Sequence, residues 1–434
     1  MDKQLRSKDI TYRFPHRTFQ EYLAGRALTN DGLRLSDEQP DAERDLITRA
    51  LRYVDAGPQW REALLLAASQ HALNGRAREV VDLVQELQAD ARAAGLTVAQ
   101  ARRIMLAGEL LLEVGRERIA RLGERRAAIW QQTRDNLLPL LPYPPSTAMP
   151  PLAPVERARA ALVLARLGDP RKGVCTLEPD WCGPFPAGVY PIADGKATLR
   201  LGAFRIARYP VTVWQFRRFW ADGGYEDEQW WTQAGWQWKQ QEPVTREPYC
   251  WDDPEWTADN QPVVGISWYE AIAFCRWLTA RGKQEGWLKP DEVIRLPSEA
   301  EWEVAAMWDA RAQQMRAWQP PEGEIWQNVE EAGIGRTAPV GLFPQGASPC
   351  GALDMAGNVW EWCGSAYEDY PARAHRLRDD FPPSQSGPTL RGGSFYLQNA
   401  RSSWGARYWD FPGDQLAVRG CRVCVCSAPR FPVF

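Results

Sequence analysis

Nine cysteines, three histidines and one aromatic-rich segment are the groups in this 434-residue chain whose types and spacing could do chemistry. His16, His71 and His375 stand far apart, none four residues from another, so no helix face offers a histidine pair to a metal and a three-histidine iron site finds no local spacing. Cys421, Cys424 and Cys426 form C-x2-C-x-C, but zinc needs a fourth ligand and knuckle geometry. CRVCVC reads instead as an apolar strand, whose alternation sends Cys421 to one face and Cys424 with Cys426 to the other as buried thiols. Lys196 follows Gly195 without the upstream glycine of a phosphate-binding loop. Residues 394–413, SFYLQNARSSWGARYWDFPG, are different: rigid aromatics mixed with Ser, Gly and Asn are the composition of a contact surface. Tyr408 and Trp409 are neighbours, so on a strand they cannot both point inward.

The elements that must position these groups fall into three stretches: a helical domain (1–138), a proline-rich linker with one helix (139–174) and an irregular β-rich domain (175–434). Apolar residues recur at helical spacing in 61–73, 77–94 and 98–114, and Thr97 with Gln100 forms a capping box. An antiparallel helical array follows. LLPLLPYPPSTAMPPLAP (137–154) ends it, since repeated proline forbids helix interior, and a helix over 155–169 follows. Beyond 175, short apolar runs alternate with Gly and Pro. Three helices interrupt them, each opened by a capping box: Thr212 with Gln215, Ser267 with Glu270, Ser298 with Glu301.

Composition excludes some functions. A net charge of −3, with no run of Lys and Arg, recommends no nucleic-acid partner. No stretch approaches 18 apolar residues and the N-terminus lacks a signal h-region, so neither membrane insertion nor export is expected. An odd number of cysteines in such a chain suggests reduced thiols and a cytoplasmic location. The 22 tryptophans, most beyond residue 200, point to a scaffold that packs indoles, a binding face rich in them, or both.

Six segments, in order, carry a resemblance: FRIARYPVTVWQF, QPVVGISWYEAIAFCRWL, IRLPSEAEWEVAAMW, GALDMAGNVWEWC, LRGGSF and RGCRV. Together they resemble the formylglycine-generating-enzyme (sulfatase-modifying factor) family over roughly 180–427. The resemblance implies an α+β, C-type-lectin-like C-terminal domain after an all-α N-terminal domain, with Trp360 and Trp362 as buried structural indoles. Oxidases of that family use two cysteines shortly after the Gly-Gly-Ser motif to bind copper as thiolates. Here 394–412 holds no cysteine, and the hydroxyls of Ser402 and Ser403 cannot replace thiolates. Iron-dependent sulfoxide synthases of the same fold need three histidines, two of them one helical turn apart, a pattern this chain lacks.

The closing segment is similar to the variable proteins of diversity-generating retroelements. Arg391, Gly392, Gly393, Ser394 and Phe395 begin their pattern, Arg401, Ser402, Arg407 and Pro412 continue it, and Gly420, Cys421, Arg422 and Val423 close it, with Cys421 where the family has Phe. That resemblance implies a non-catalytic protein that binds a protein or carbohydrate ligand through a diversifiable surface. Its contact residues would be Phe395, Tyr396, Gln398, Asn399, Ser403, Trp404, Tyr408, Trp409, Asp410, Phe411 and Gly413. The alternative is a metal-dependent oxidase or sulfoxide synthase of the formylglycine-generating-enzyme family. The family also implies one calcium, held by Asp354, Gly357, Val359 and Glu361 in LDMAGNVWEW; hard oxygen donors suit that ion. FPHRTFQEYLAGRAL (14–28) resembles a helix of NACHT-type signalling NTPases, and 158–174 the segment joining such helices to this kind of domain. Together they imply such an NTPase as a partner.

Overall fold

The computed structural model describes residue 25 and residues 46–55, 60–89, 95–141, 152–193, 195–241, 245–368, 370–371, 373–382 and 387–427. The stretch 14–28 therefore lies, apart from Gly25, outside the described residues. The chain divides into two compact units, Met1–Leu137 and Leu138–Phe434.

The first unit is helical: α1 (Leu46–Val54), α2 (Arg61–Leu73), α3 (Ala77–Leu87), α4 (Val98–Val114), α5 (Arg116–Ala120) and α6 (Glu124–Leu137). The capping box at Thr97 is present, with Gln100 answering the Thr97 backbone at 2.9 Å. Ala101, Ile104, Ala107, Leu110 and Leu111 of α4 are fully buried at the centre of the unit. Helix α3 stops at Leu87, short of the expected 94, and the Gln88 amide donates to Val84 O and to Thr133 of α6. Residues 90–94 are outside the described set.

The second unit begins with α7 (Pro154–Leu167), continues through β1 (Trp181–Phe185), β2 (Gly188–Ile192), β3 (Ala197–Leu201) and β4 (Phe204–Ala207), then α8 (Val213–Ala221), α9 (Gln233–Lys239) and α10 (Trp268–Glu285). After β5 (Glu292–Arg295) come α11 (Glu299–Met307), the short pair β6 (Trp308–Asp309) and β7 (Gln314–Met315), and then β8 (Trp360–Ala366), β9 (Pro388–Arg391), β10 (Arg407–Trp409), β11 (Arg419–Cys421) and β12 (Cys424–Ser427). Two four-stranded sheets have the orders β1-β4-β12-β5 and β10-β9-β8-β11; all pairings are antiparallel except β11 on β8. Helix α7, assigned from sequence to a linker, belongs to this unit. The Asn260 amide donates to Ala161 O of α7 at 2.8 Å and to Asp169 at 3.0 Å, and Asp169 is held by the buried guanidinium of Arg171.

All three predicted capping boxes are present, at Thr212, Ser267 and Ser298. Helix α11 is buried along its whole length although it carries Glu299, Glu301 and Glu303. Burial of a carboxylate is tolerated when it is paired, and each has its arginine: Arg407 on Glu299, Arg295 on Glu301, Arg391 on Glu303. Replacing Ser298 with Ala removes the acceptor for the Glu301 N–H (3.2 Å). Thermal or denaturant unfolding should show a loss of about 1 kcal/mol.

Part of the tryptophan surplus is structural. Trp268, Trp277, Trp302 and Trp362 are fully buried. Each indole N–H has a partner, respectively Cys363 O, Asp222, Glu361 and Ile266 O. Trp360 departs from expectation: it is half-buried, its ring 5.9 Å from that of Tyr408. Cys421 packs in one core and Cys424 with Cys426 in the other, but on separate strands, because the chain changes sheets at Arg422 and Val423. Among the described residues no helix is long and apolar enough to cross a membrane.

Candidate functional site

The double glycine opens the segment that sequence marks as a contact surface. Gly393, at φ +85°, turns so tightly that a side chain there would collide with Ser402, itself fully buried. The carbonyl of Ser402 accepts from the Gln327 amide at 2.9 Å, which also donates to the Asn399 side chain at 2.7 Å. The Asn399 N–H reaches both oxygens of Glu331. Strand β10 then pairs with β9 in the register Tyr408↔Leu390, and the Pro412 carbonyl caps α10 by accepting from the Trp268 N–H at 2.9 Å. The segment is thus fastened at both ends and in the middle.

Within that frame the eleven expected contact residues separate. Tyr396 is 77% exposed, Tyr408 51% and Phe411 45%. Gln398 is exposed too, and Asn399, Ser403, Trp409, Asp410 and Gly413 are half-buried. Two expectations fail. Phe395 is buried, packing 5.6 Å from the Trp256 ring, because its N–H is drawn onto Asn358 O at 3.1 Å. Trp404 is buried against Trp318 at 4.9 Å, placed there by the turn that follows a short 3-10 helix, Asn399–Arg401, rather than by a strand. Asp410 pairs with Arg419, and Gly413 is a packing residue, since a side chain there would strike Trp238. Tyr408 and Trp409 take opposite faces of β10, Trp409 lying 6.4 Å from Tyr367 and 5.6 Å from Phe411.

The clamp beneath β10 was not evident from sequence. Arg407 donates to both oxygens of Glu299 (2.6 and 3.1 Å) while its guanidinium lies 4.0 Å from the centre of the Tyr367 ring. Arg391 donates to Glu303 at 2.7 Å. Glu299 and Glu303 are one helical turn apart, which was the available signal.

The loop proposed for calcium is built differently from a cation site. Both oxygens of Glu361 are taken by Arg422 (2.8 and 3.0 Å), and the Trp302 indole donates to one of them at 2.6 Å. Asp354 is buried and accepts from the Gly341 N–H at 2.7 Å; burial pushes its pKa up to about 6. Gly357 donates to Gly392 O, fully buried Val359 donates to Gly357 O, and Asn358 bridges to Asn328 and Ala338. Among the described residues no group of three or more His, Cys, Asp or Glu is gathered as a metal site.

The model of the sulfatase-modifying factor enzyme 1-like domain matches residues 182–426. Hercynine oxygenase of Mycobacterium tuberculosis is 33% identical over 238 residues, covering 51% of this chain and 52% of that protein. Formylglycine-generating enzyme of Bos taurus is 27% identical over 312 residues, covering 57% and 75%. Treponema denticola variable protein 1 superposes with a TM-score of 0.37 at 22% identity, covering 57% of this chain and 93% of that one. The chain spans about half the length of the hercynine oxygenases it matches. These relatives overturn the expectation of a chain without catalysis, because hercynine oxygenases and formylglycine-generating enzymes are enzymes. With over half the chain matched, and with the paired sheets and capped helices in place, the chain belongs to the sulfatase-modifying factor enzyme 1-like family.

Proposed function

We propose that the C-terminal unit is the substrate-recognition body of an oxidative enzyme of its family, and that the surface around Tyr396, Tyr408, Trp409 and Phe411 takes the substrate. The observation that carries this reading is the separation just described: large aromatics left exposed between anchors that are buried and hydrogen-bonded. Exposed rings held by a rigid frame give contact area at little entropic cost, and their faces attract cationic groups such as a quaternary ammonium. Hercynine is such a betaine, which makes it the first probe.

The test uses the full chain. Titration with hercynine, followed by tryptophan fluorescence and calorimetry, should show saturable binding. Replacing Tyr396, Tyr408 and Phe411 together with Ala should weaken it at least tenfold while moving the melting temperature by less than about 2 °C, as expected where exposed side chains are removed. No binding of hercynine or of cysteine, and no oxygen uptake with Fe(II) or Cu(I) supplied, would defeat the reading. A large fall in melting temperature would show instead that the three rings are core.

A second reading rests on the same surface. Exposed positions between fixed anchors can change without disturbing the frame, the property a diversified segment binding protein or carbohydrate ligands requires. A reverse transcriptase gene beside an imperfect repeat of the final segment would favour it.

A further inference from the structure

We propose that Cys182 and Cys350 form a dithiol site that exchanges with small neutral disulfides, Cys350 attacking from a cavity wall and Cys182 resolving from behind it. The site stands apart from the aromatic surface and does not depend on that reading. Cys182 lies on β1 and is buried; Cys350 is half-buried in the turn Ser348–Gly351. The Cys182 sulfur faces the turn that carries Cys350, the two thiols acting on one another electrostatically, and as a thiol Cys350 donates its S–H to Ala305 O at 3.3 Å. Gly351, at φ +90°, lets the turn come this close: a side chain there would sit 3.0 Å from an Arg208 nitrogen and 4.0 Å from the Cys182 sulfur.

The surroundings divide the labour between the two sulfurs. Cys350 lines a cavity of about 370 Å³ together with Pro184, Phe185, Tyr190, Trp308 and Pro349, and none of the cavity's lining residues carries a charge. Its sulfur also contacts the Ser348 hydroxyl at 3.2 Å. The interaction with Cys182, the Ser348 hydroxyl, the Ala352 N–H and the nearby Arg422 outweigh burial and bring Cys350 down to about 7. The same interaction, with burial, pushes Cys182 up. A low-pKa thiol in reach of solvent beside a second, protonated thiol is the arrangement thiol–disulfide exchange uses.

The exchange balances without any further reagent. The Cys350 thiolate attacks one sulfur of RSSR; the S–S bond breaks, RS⁻ leaves, and it takes the proton that Cys350 lost. Cys182 then attacks the Cys350 sulfur as thiolate, expels the second RS⁻, and its proton goes to that thiol. The protein gains a Cys182–Cys350 disulfide and is oxidised by two electrons, while RSSR is reduced to two RSH.

Hydroxyethyl disulfide is the probe, used on the reduced full chain with acid quenching, alkylation and peptide mass mapping. The expected result is a Cys182–Cys350 linkage, two fewer titratable thiols and no retained adduct. In Cys182→Ser a hydroxyethylthio adduct should be trapped on Cys350, and in Cys350→Ser Cys182 should stay unmodified. Adducts confined to Cys175, Cys250 or Cys426 in the unsubstituted protein would overturn the proposal. So would an adduct retained on Cys350 there, since Cys182 would then not resolve it. Neither reading needs a variant to fold.

Discussion

Glu361→Ala is expected to lower the stability of the C-terminal unit by about 3–5 kcal/mol, the cost of leaving a buried guanidinium without its carboxylate. Arg422 is fully enclosed and every N–H on its guanidinium is used: on Glu361, on Ala207 O (2.8 Å), on Arg208 O (2.6 Å) and on Leu353 O (2.6 Å). The carbonyls remain after the substitution, but they cannot balance the charge. The Trp302 indole N–H loses its acceptor in the same step. The effect reaches both sheets, because β8 carries Glu361 while Arg422 lies between β11 and β12. Denaturant unfolding followed by near-ultraviolet tryptophan signals measures it; Glu361→Gln, which keeps an acceptor and loses the charge, should fall between the two. A loss under about 1 kcal/mol for Glu361→Ala would show that the pair does not hold the sheets together.

The second large effect is a decline in stability between about pH 5 and 7.5 that Glu270→Gln makes markedly shallower. Glu270 opens α10 and is fully buried; burial raises its pKa to about 7 against hydrogen bonds from the Tyr225 hydroxyl, the Ser267 N–H and the Gln415 amide. In the unfolded chain a glutamate titrates near ~4.3. Between those values the folded state keeps a proton that the unfolded state has released, so rising pH favours unfolding. The contribution is fully present below the unfolded value and lost as pH rises through about 7, on the order of 3 kcal/mol. Asp354, at about 6, adds to the decline with the same sign. Glu301 and Asp169 act oppositely: burial opposes their ionisation, but Arg295 and Arg171 overcome it and hold both below the usual range. Their contribution is lost only as pH falls below about 4, outside this window. Melting temperatures across pH 5–8 provide the check, and an unchanged slope in Glu270→Gln would sink the assignment.

Features encoded within four residues were legible in the sequence. The capping boxes at Thr97, Thr212, Ser267 and Ser298 all formed, because donor, acceptor and helix start lie on one turn. The α+β class of the C-terminal unit followed from the ordered motifs. What escaped was non-local. Glu361 reads in isolation as a hard-oxygen ligand, and only the parallel pairing of β11 on β8 brings Arg422 to it. Phe395 and Trp404 read as surface because the resemblance set them among contact positions, whereas the turns they sit in carry both inward. Cys182 and Cys350 meet across a gap no spacing rule spans. Helix α7 joined the C-terminal unit through Asn260 and Asp169, whose partners lie on other loops.

Strand β12 has one further consequence. It lies between β4 and β5, pairing with both, yet among the described residues it comes after every other strand. During synthesis, β4 and β5 wait with bare edges through more than a hundred intervening residues, until 424–427 clear the ribosome. Unfilled edges of that kind invite pairing with other chains, so a stalled or nicked product ending before Cys424 carries a sticky gap that the finished molecule conceals.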